Sequence, residues 1–421
     1  MREALASLTL RGRAFLVGGV VAVISALLLD QPALMRAGVL AAALPLVAAG
    51  FVGRSRYRLS LQREVSPRMV APDQPAQVTL TLTNEGRTPT GVLLLEEQLP
   101  YSLGARPRFV LEGIGHKWVR HLRYQVRSNL RGHFEIGPMT IRVTDPFGLV
   151  ELGRAFHTSA PLTVTPRTVP LPAIRMGGAW TGSGDNRPRS FATGSAEDVT
   201  VREYRRGDDL RRVHWRSSAR VGELMVRREE QPWQSRVTVV LDNRLRAHRG
   251  QGAASSLEAA VSAAASVAVH LARRGFTVRL VTAAGEDSSA AWHLRDAEAN
   301  TAPLLEALAV VALDHRPLMD TTWLAETGQG GMVVLVAGAL SSADQPFLRR
   351  LEHHGSTPLA IALEVDAWAP HQPPTGPGAA PALAAVGWRA VSLRPEDRLD
   401  QVWQELGRLG TRTAKSSGVA S

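Results

Sequence analysis

Two apolar runs, Ala14–Leu29 (AFLVGGVVAVISALLL) and Ala37–Val52 (AGVLAAALPLVAAGFV), lie close together near the N-terminus, separated only by DQPALMR. Sixteen residues make about 24 Å of helix at about 1.5 Å per residue, so a hydrocarbon layer of about 30 Å needs flanking residues to extend each span. Arg13, Arg36 and Arg54 stand where their heads can snorkel to water. Asp30 and Pro32 suit a tight turn between the runs. Arg2, Arg11 and Arg13 precede the pair, and Arg54, Arg56, Arg58 and Arg63 follow it. A chain that crosses twice puts both clusters on one face, and the positive-inside bias makes that face cytoplasmic. A cleaved signal peptide ending near Ala37 is the rival reading, and the second run with its own Arg cluster argues against it. The sequence thus predicts a membrane hairpin over residues 1–56, with helices at about 14–29 and 37–52.

Charge supports that placement. The formal charge is +11, and residues 1–65 carry eight Arg against three acids. The excess fades along the chain until residues 232–421 hold seventeen bases and eighteen acids. A basic excess beside the most apolar segment fits a membrane surface better than nucleic acid. With no Cys, the chain has no disulfide, thiolate zinc site or cysteine nucleophile. Its two lysines, Lys117 and Lys415, both lack a preceding Gly, which excludes a P-loop.

Beyond Tyr57 the apolar period becomes two. AQVTLTLTN (Ala76–Asn84), GVLLLEE, KWVRHLRYQVRS (Lys117–Ser128), HFEIG, MTIRVTD and LTVTP alternate or run apolar, with Gly and Pro between them. Seven or eight such strands predict an antiparallel, Ig-like β-sandwich over residues 57–170. Asp145-Pro-Phe-Gly-Leu149 reads as a turn followed by an anchoring Leu. Residues 171–200, rich in Gly, Ser, Thr and Asp, read as a flexible linker.

Residues 201–232 (VREYRRGDDLRRVHWRSSARVGELMVRREEQP) are the densest segment. A strand through Tyr204, a turn at Gly207, a short helix capped by Asp208 or Asp209, and a second strand with Leu224 and Val226 on one face are expected. Arg212 and Trp215 stand three apart, within reach of a cation–π contact. Nine Arg face six acids here, a balance that suits ion pairing or a protein-docking face better than a nucleic-acid patch.

On Arg202-Glu203-Tyr204, Gly207-Asp208-Asp209, Arg212, Trp215, Ser218-Ala219-Arg220 and Leu224-x-Val226-Arg227 the chain resembles domain-of-unknown-function family 58. Arg131-Gly132, Gly137-Pro138, the Asp145–Leu149 motif and the paired apolar runs extend the likeness. The resemblance implies a membrane hairpin, a β-sandwich, this signature and a von Willebrand factor A-like domain. It also implies partners of the MoxR-type AAA ATPase class or other envelope proteins. The signature residues Glu203, Tyr204, Gly207, Asp208, Asp209, Arg212, Trp215, Ser218, Arg220 and Arg227 are then candidates for partner binding or for an interdomain clamp.

Over residues 233–410 apolar strands alternate with helices, predicting a mostly parallel sheet covered on both faces, with ligands at its strand ends. HQPPTGPGAAPAL and the tail 411–421 read as disordered. The A domains of the resemblance hold a metal on a first loop D-x-S-x-S, but here the loop is Asp242-Asn243-Arg244-Leu245-Arg246. Two guanidinium groups replace two hydroxyl ligands, and Gly338-Ala339 stand where a third-loop Asp is expected, so no metal or other cofactor is expected. Asp242 then reads as a strand-end cap or an Arg partner, and Arg244, Arg246, His248 and Arg249 as a basic crest suited to a partner carboxylate.

G-x-S-x-G and H-E-x-x-H motifs are absent from the sequence, and adjacent acids such as Glu96-Glu97 point to opposite faces of a strand. The sequence therefore predicts a non-catalytic, membrane-anchored scaffold at the cell membrane with cytoplasmic soluble domains. The alternatives are a membrane hydrolase using Asp208, Asp209 or His214, and a basic protein that associates with nucleic acid.

Overall fold

The computed structural model describes residues 8–54, 59–86, 92–111, 117–144, 147–174, 200–203, 215–228, 236–286, 301–326, 332–354 and 357–416. They form two compact units, Met1–Arg167 and Thr168–Ser421.

The first unit opens with helices α1 (Leu10–Leu29) and α2 (Pro32–Arg54), both long and apolar enough to cross a membrane. At 20 and 23 residues they exceed the two sixteen-residue runs, reaching about 30 Å and about 35 Å. The expected seven-residue turn shrinks to Asp30 and Gln31. Asp30 adopts the left-handed conformation (φ 50°) and returns its N–H to Ala26, while Pro32, lacking an N–H, takes the first position of α2. The helices cross on small residues. A Cβ built on Gly19 would lie 2.5 Å from the Ala42 nitrogen and 2.8 Å from the Gly38 oxygen. Val17, Ile24, Leu40 and Val47 face outward, the reverse of a soluble hairpin.

Ten strands follow: β1 (Leu59–Ser66), β2 (Met69–Val70), β3 (Ala76–Asn84), β4 (Val92–Glu97), β5 (Arg108–Leu111), β6 (Val119–Val126), β7 (Gly132–Ile136), β8 (Met139–Thr144), β9 (Glu151–Phe156) and β10 (Ala160–Val164). They make sheets ordered β1-β3-β6, β2-β10-β7 and β5-β4-β8-β9. Among the described residues every pairing is antiparallel save one, the two-residue parallel contact of β2 with β10, which the alternation pattern did not reveal. Alternation dictates burial: in β3 Ala76, Val78, Leu80 and Leu82 face one core, shared with Leu93 and Leu95 of β4 and Ile141 of β8. Each such Leu contributes about 1.5–3 kcal/mol on burial.

Adjacent Glu96 and Glu97 do point oppositely. Glu96 meets Arg108 at the surface, whereas Glu97 is buried against Arg63 at 2.6 Å. Arg63 thus belongs to the β core and not to a membrane-facing Arg cluster. Burial, opposed by Arg63, pushes the Glu97 carboxyl up to about 7.

Hairpin and strands are joined at the Asp145–Leu149 corner, of which Phe147 onward is described. Leu8 bridges Val150, Thr9 donates its N–H to the Leu149 carbonyl (2.9 Å), and the Thr9 hydroxyl donates to the Gly148 carbonyl (2.7 Å). Thr9 Oγ1 also caps α1 by accepting from Gly12. Leu149 is the anchor expected from sequence, packed with Leu8, Val150 and Ala49 of α2.

The second unit begins as a strap. Val169 donates to Ser266 Oγ, the Pro172 carbonyl accepts from Trp403 Nε1, and Leu171 and Ile174 pack on the core, so the first residues of the expected linker belong to this unit. Residues 175–199 of that linker lie outside the described residues, and Thr200, its last, opens a strand. Next come β11 (Thr200–Glu203), α3 (Trp215–Val221) and β12 (Met225–Arg228), with β11 and β12 paired antiparallel.

The α/β body contains β13 (Arg236–Leu241), α4 (Ser256–Arg273), β14 (Thr277–Thr282), β15 (Gly285–Glu286), α5 (Thr301–Val310), α6 (Trp323–Glu326), β16 (Met332–Ala337), α7 (Gln345–His354), β17 (Thr357–Leu363), α8 (Ala379–Ala385), β18 (Arg389–Leu393) and α9 (Leu399–Ser416). The sheet order is β15-β14-β13-β16-β17-β18, parallel except for the edge strand β15. Val237, Val239 and Leu241 of β13 face a core with α4 and Trp403, while Val240 faces another with Leu348 and Leu383. Both faces are covered, as the unbroken apolar strands require.

Two expectations of disorder fail. Within HQPPTGPGAAPAL, Thr375 is held through its N–H and hydroxyl by the Asp366 carboxylate, and α8 buries Ala379 and Leu383. The backbone of α9 continues to Ser416, into the expected tail.

Candidate functional site

Strand β13 lies between β14 and β16, and the chain leaves it toward one neighbour and returns from the other. The crevice beyond the carboxyl ends of β13 and β16 is therefore the place where such sheets take ligands. Asp242 is the first residue after β13 and extends the sheet by donating its N–H to the Val336 carbonyl. Its carboxylate grips the side chain two residues on. Arg244 Nε donates to Oδ1 at 2.8 Å, Nη2 donates to Oδ2 at 2.7 Å, and the Arg244 backbone N–H adds a contact to Oδ1 at 3.1 Å.

Across the crevice, from the loop after β16, Asp344 accepts from Arg244 Nη1 at 2.5 Å and from Arg246 Nη2 at 2.6 Å. Ser341 presents its backbone N–H (2.8 Å) to the second Asp344 oxygen and its hydroxyl to Arg246 Nη1 (2.9 Å). Asp242, Arg244 and Asp344 are buried, and the Pro317 carbonyl takes a further Arg244 hydrogen. Burial opposes ionisation of Asp344, but Arg244, the Ser341 N–H and Arg246 outweigh it and hold the carboxyl below its ordinary range. Burial likewise works against the Arg244 charge, and Asp242 and Asp344 reverse it, raising its pKa.

The crevice is thus closed by an internal cation. Both carboxylates spend their oxygens on guanidinium and Ser341 donors, so these residues do not fit a divalent ion, which needs such oxygens for itself. The expected basic crest is correspondingly reduced. Arg244 is enclosed, and Arg249 pairs with Asp366 at 3.3 Å. His248 is buried between Ser256 Oγ (3.0 Å) and the Asp242 carbonyl (2.5 Å). Burial pushes the His248 imidazole below its ordinary range despite the Asp242 carbonyl. A neutral ring that donates from Nε2 to the carbonyl and accepts from Ser256 satisfies both contacts. Arg246, a third exposed, is the most open of the crest residues.

The loop after β16 does carry a buried acid, Asp344, six residues beyond Gly338. Gly338 serves a different need: a Cβ there would lie 1.9 Å from the Ala247 carbonyl, which accepts from the Ala339 N–H. Asn243, also overlooked, ties three loops together through Ala312, Ala283 and Asp314. Ser341-x-x-Asp344 carried a legible signal, since a hydroxyl followed three residues later by an acid marks a helix start.

Of the signature residues, Tyr204, Gly207, Asp208, Asp209 and Arg212 lie outside the described residues, as does the expected cap of the short helix. Glu203 ends β11 opposite Met225, and Arg227 on β12 stands opposite Val201 of β11. Ser218 on α3 holds the start of β12 by accepting the Met225 N–H at 2.8 Å. Trp215 and Arg220 are exposed, Trp215 with 72 % of its surface open.

Residues 200–368 match the family described as "Protein of unknown function DUF58". The signature resemblance is borne out by this match, which spans both β11–β12 and the guanidinium-filled crevice. The DUF58 description assigns no activity. No curated protein matches the chain. Among solved structures, the CARDB domain of a Pyrococcus furiosus protein, in complex with di-metal ions, is 15 % identical over 26 % of this chain and 93 % of its own, with a TM-score of 0.19. The human seminal-plasma complex of zinc 2-glycoprotein with prolactin inducible protein gives 14 %, 26 %, 97 % and 0.20 for the same measures. Scores this low carry no conclusion about fold or function.

Proposed function

We propose that this DUF58 protein is a membrane-anchored, non-catalytic binding protein that holds a partner at the cytoplasmic face of the cell membrane. The observation that carries the reading is Trp215. Within the matched segment Trp215 has 72 % of its surface open to solvent, and Arg220, Val221 and Leu224 are exposed as well. Trp and Arg are the commonest energetic anchors of protein interfaces. A partner of the MoxR-type AAA ATPase class is the occupant that the family resemblance implies.

Three further features support the scheme. The outward apolar faces of α1 and α2 suit lipid, and the Arg residues flanking them favour a cytoplasmic location for both units. The sheet order, with an antiparallel edge strand beside β14, is compatible with a von Willebrand factor A-like domain, and the three sheets of the first unit with an Ig-like sandwich. The crevice acids are neutralised internally, which favours a rigid binding rim over acid–base chemistry.

The test is capture from detergent-solubilised membranes using the full chain as bait. Enrichment of an AAA ATPase, reduced at least about tenfold by Trp215→Ala (a loss of about 1.4 kcal/mol), supports the proposal. Hydrolytic turnover by the purified chain that disappears in Asp209→Asn would transfer the function to the hydrolase reading.

A further inference from the structure

We infer that the Phe147 corner of the β unit is a lipid-contact site seated in the headgroup layer of the bilayer. This rests on the membrane-anchor reading above and adds to it a surface of the β unit itself.

The argument is one of depth. Arg11 and Arg13 are exposed on the first turn of α1, so the hydrocarbon-embedded part of that helix starts at Ala14. Thr9 precedes Ala14 by five residues, about 7.5 Å along the helix axis, which places it within the interfacial layer outside the hydrocarbon. The β unit is fixed to that level, because Thr9 donates to the carbonyls of both Gly148 and Leu149. Gly12 leaves no slack: a Cβ on it would lie 2.2 Å from the Leu149 oxygen. Phe147 is the residue immediately before this clamp, and 64 % of it is exposed. The Arg11 guanidinium borders the same corner, 3.9 Å from where a Gly148 Cβ would stand. An exposed aromatic side chain at a corner bordered by Arg11, at the height of a helix entry, has the composition of an interfacial anchor for anionic headgroups. The hairpin then holds the β unit rigidly against the membrane surface, not on a loose tether.

The absence of Cys permits a direct depth measurement. Full-length protein carrying Phe147→Cys, Ile24→Cys or Tyr101→Cys is labelled with an environment-sensitive fluorophore and reconstituted into phosphatidylcholine–phosphatidylglycerol vesicles holding shallow or deep doxyl-lipid quenchers. The expected result is at least a twofold intensity loss at position 147 with the shallow quencher. Position 24 should lose at least as much with the deep quencher, and position 101, 91 % exposed on the β unit, should stay unquenched. Quenching at 24 with none at 147 overturns the lipid-contact site and leaves the anchor standing. No quenching at 24 overturns the anchor itself, and the corner site with it.

Discussion

Arg244 and Asp344 meet at 2.5 Å although one hundred residues separate them, one from the loop after β13 and the other from the loop after β16. Since Asp242 holds the same guanidinium by its other edge, a single side chain joins the two loops that follow β13 and β16 at the carboxyl end of the sheet. The pairing both neutralises and closes the crevice there.

Removing the guanidinium leaves buried Asp242 without its cation and Asp344 with Arg246 and Ser341 alone. Arg244→Ala is expected to destabilise the second unit by about 3–5 kcal/mol, as when one partner of a buried ion pair is deleted. Thermal unfolding of the full chain in detergent measures it. Arg244→Lys should recover little, because one ammonium cannot reproduce the two-pronged grip on Asp242.

The same loop allows a converse experiment. Replacing Arg244 and Arg246 together by Ser writes Asp242-x-Ser-x-Ser with Asp344 facing it. That variant is expected to gain a magnesium-dependent rise in melting temperature, whereas the native chain should not respond. A magnesium response of the native protein would refute the internal-cation account.

His248 gives the second unit a pH dependence of definite sign. Its pKa is lower folded than unfolded, so below about pH 6.5 the unfolded chain binds a proton that the folded chain refuses. Stability is full above that value and falls as the pH drops through it. His248→Gln, which keeps an N–H for the Asp242 carbonyl, should flatten the slope in melting curves taken between about pH 7.5 and 5.5.

Glycine at 338 is a packing requirement. Gly338→Ala drives a methyl into the Ala247 carbonyl and should cost about 1–3 kcal/mol, with loss of amide protection at Ala339 by hydrogen exchange. Unchanged protection would show that the 245–247 turn moves aside freely.

In the first unit, Glu97→Ala leaves the buried Arg63 guanidinium without its carboxylate and should lower stability by about 3–5 kcal/mol. Arg63→Met combined with Glu97→Leu is expected to recover most of this, as buried ion pairs often tolerate apolar replacement. A double variant as unstable as the single one would point to a role for the pair beyond charge balance.

Periodicity carried much of the fold. Strand β3 was legible to the residue because its Thr and aliphatic side chains alternate without a break, and β16 because it is apolar throughout. The two-residue parallel contact of β2 was not, since so short a strand has no period. The Pro- and Gly-rich stretch before α8 looked unstructured from composition, yet Asp366 binds Thr375 nine residues away and Leu383 finds an apolar face. In the crevice, Asp242 is legible as the partner of an Arg, whereas the chemistry of Arg244 is not. Arginines beside a strand end suggested a crest open to partners, whereas Asp344 turns the guanidinium of Arg244 inward.

The order of amino acids alone determined two apolar helices beside a β unit, a family signature, and an α/β body covered on both faces. These follow from local patterns of period, charge and turn residues, which act over a few positions of chain. Tertiary structure decided where Thr9 meets Leu149, where Arg63 meets Glu97, and that the ligand crevice holds its own cation. Those outcomes depend on residues far apart in sequence arriving within hydrogen-bond distance, and burial then makes each unpaired charge too costly to leave alone.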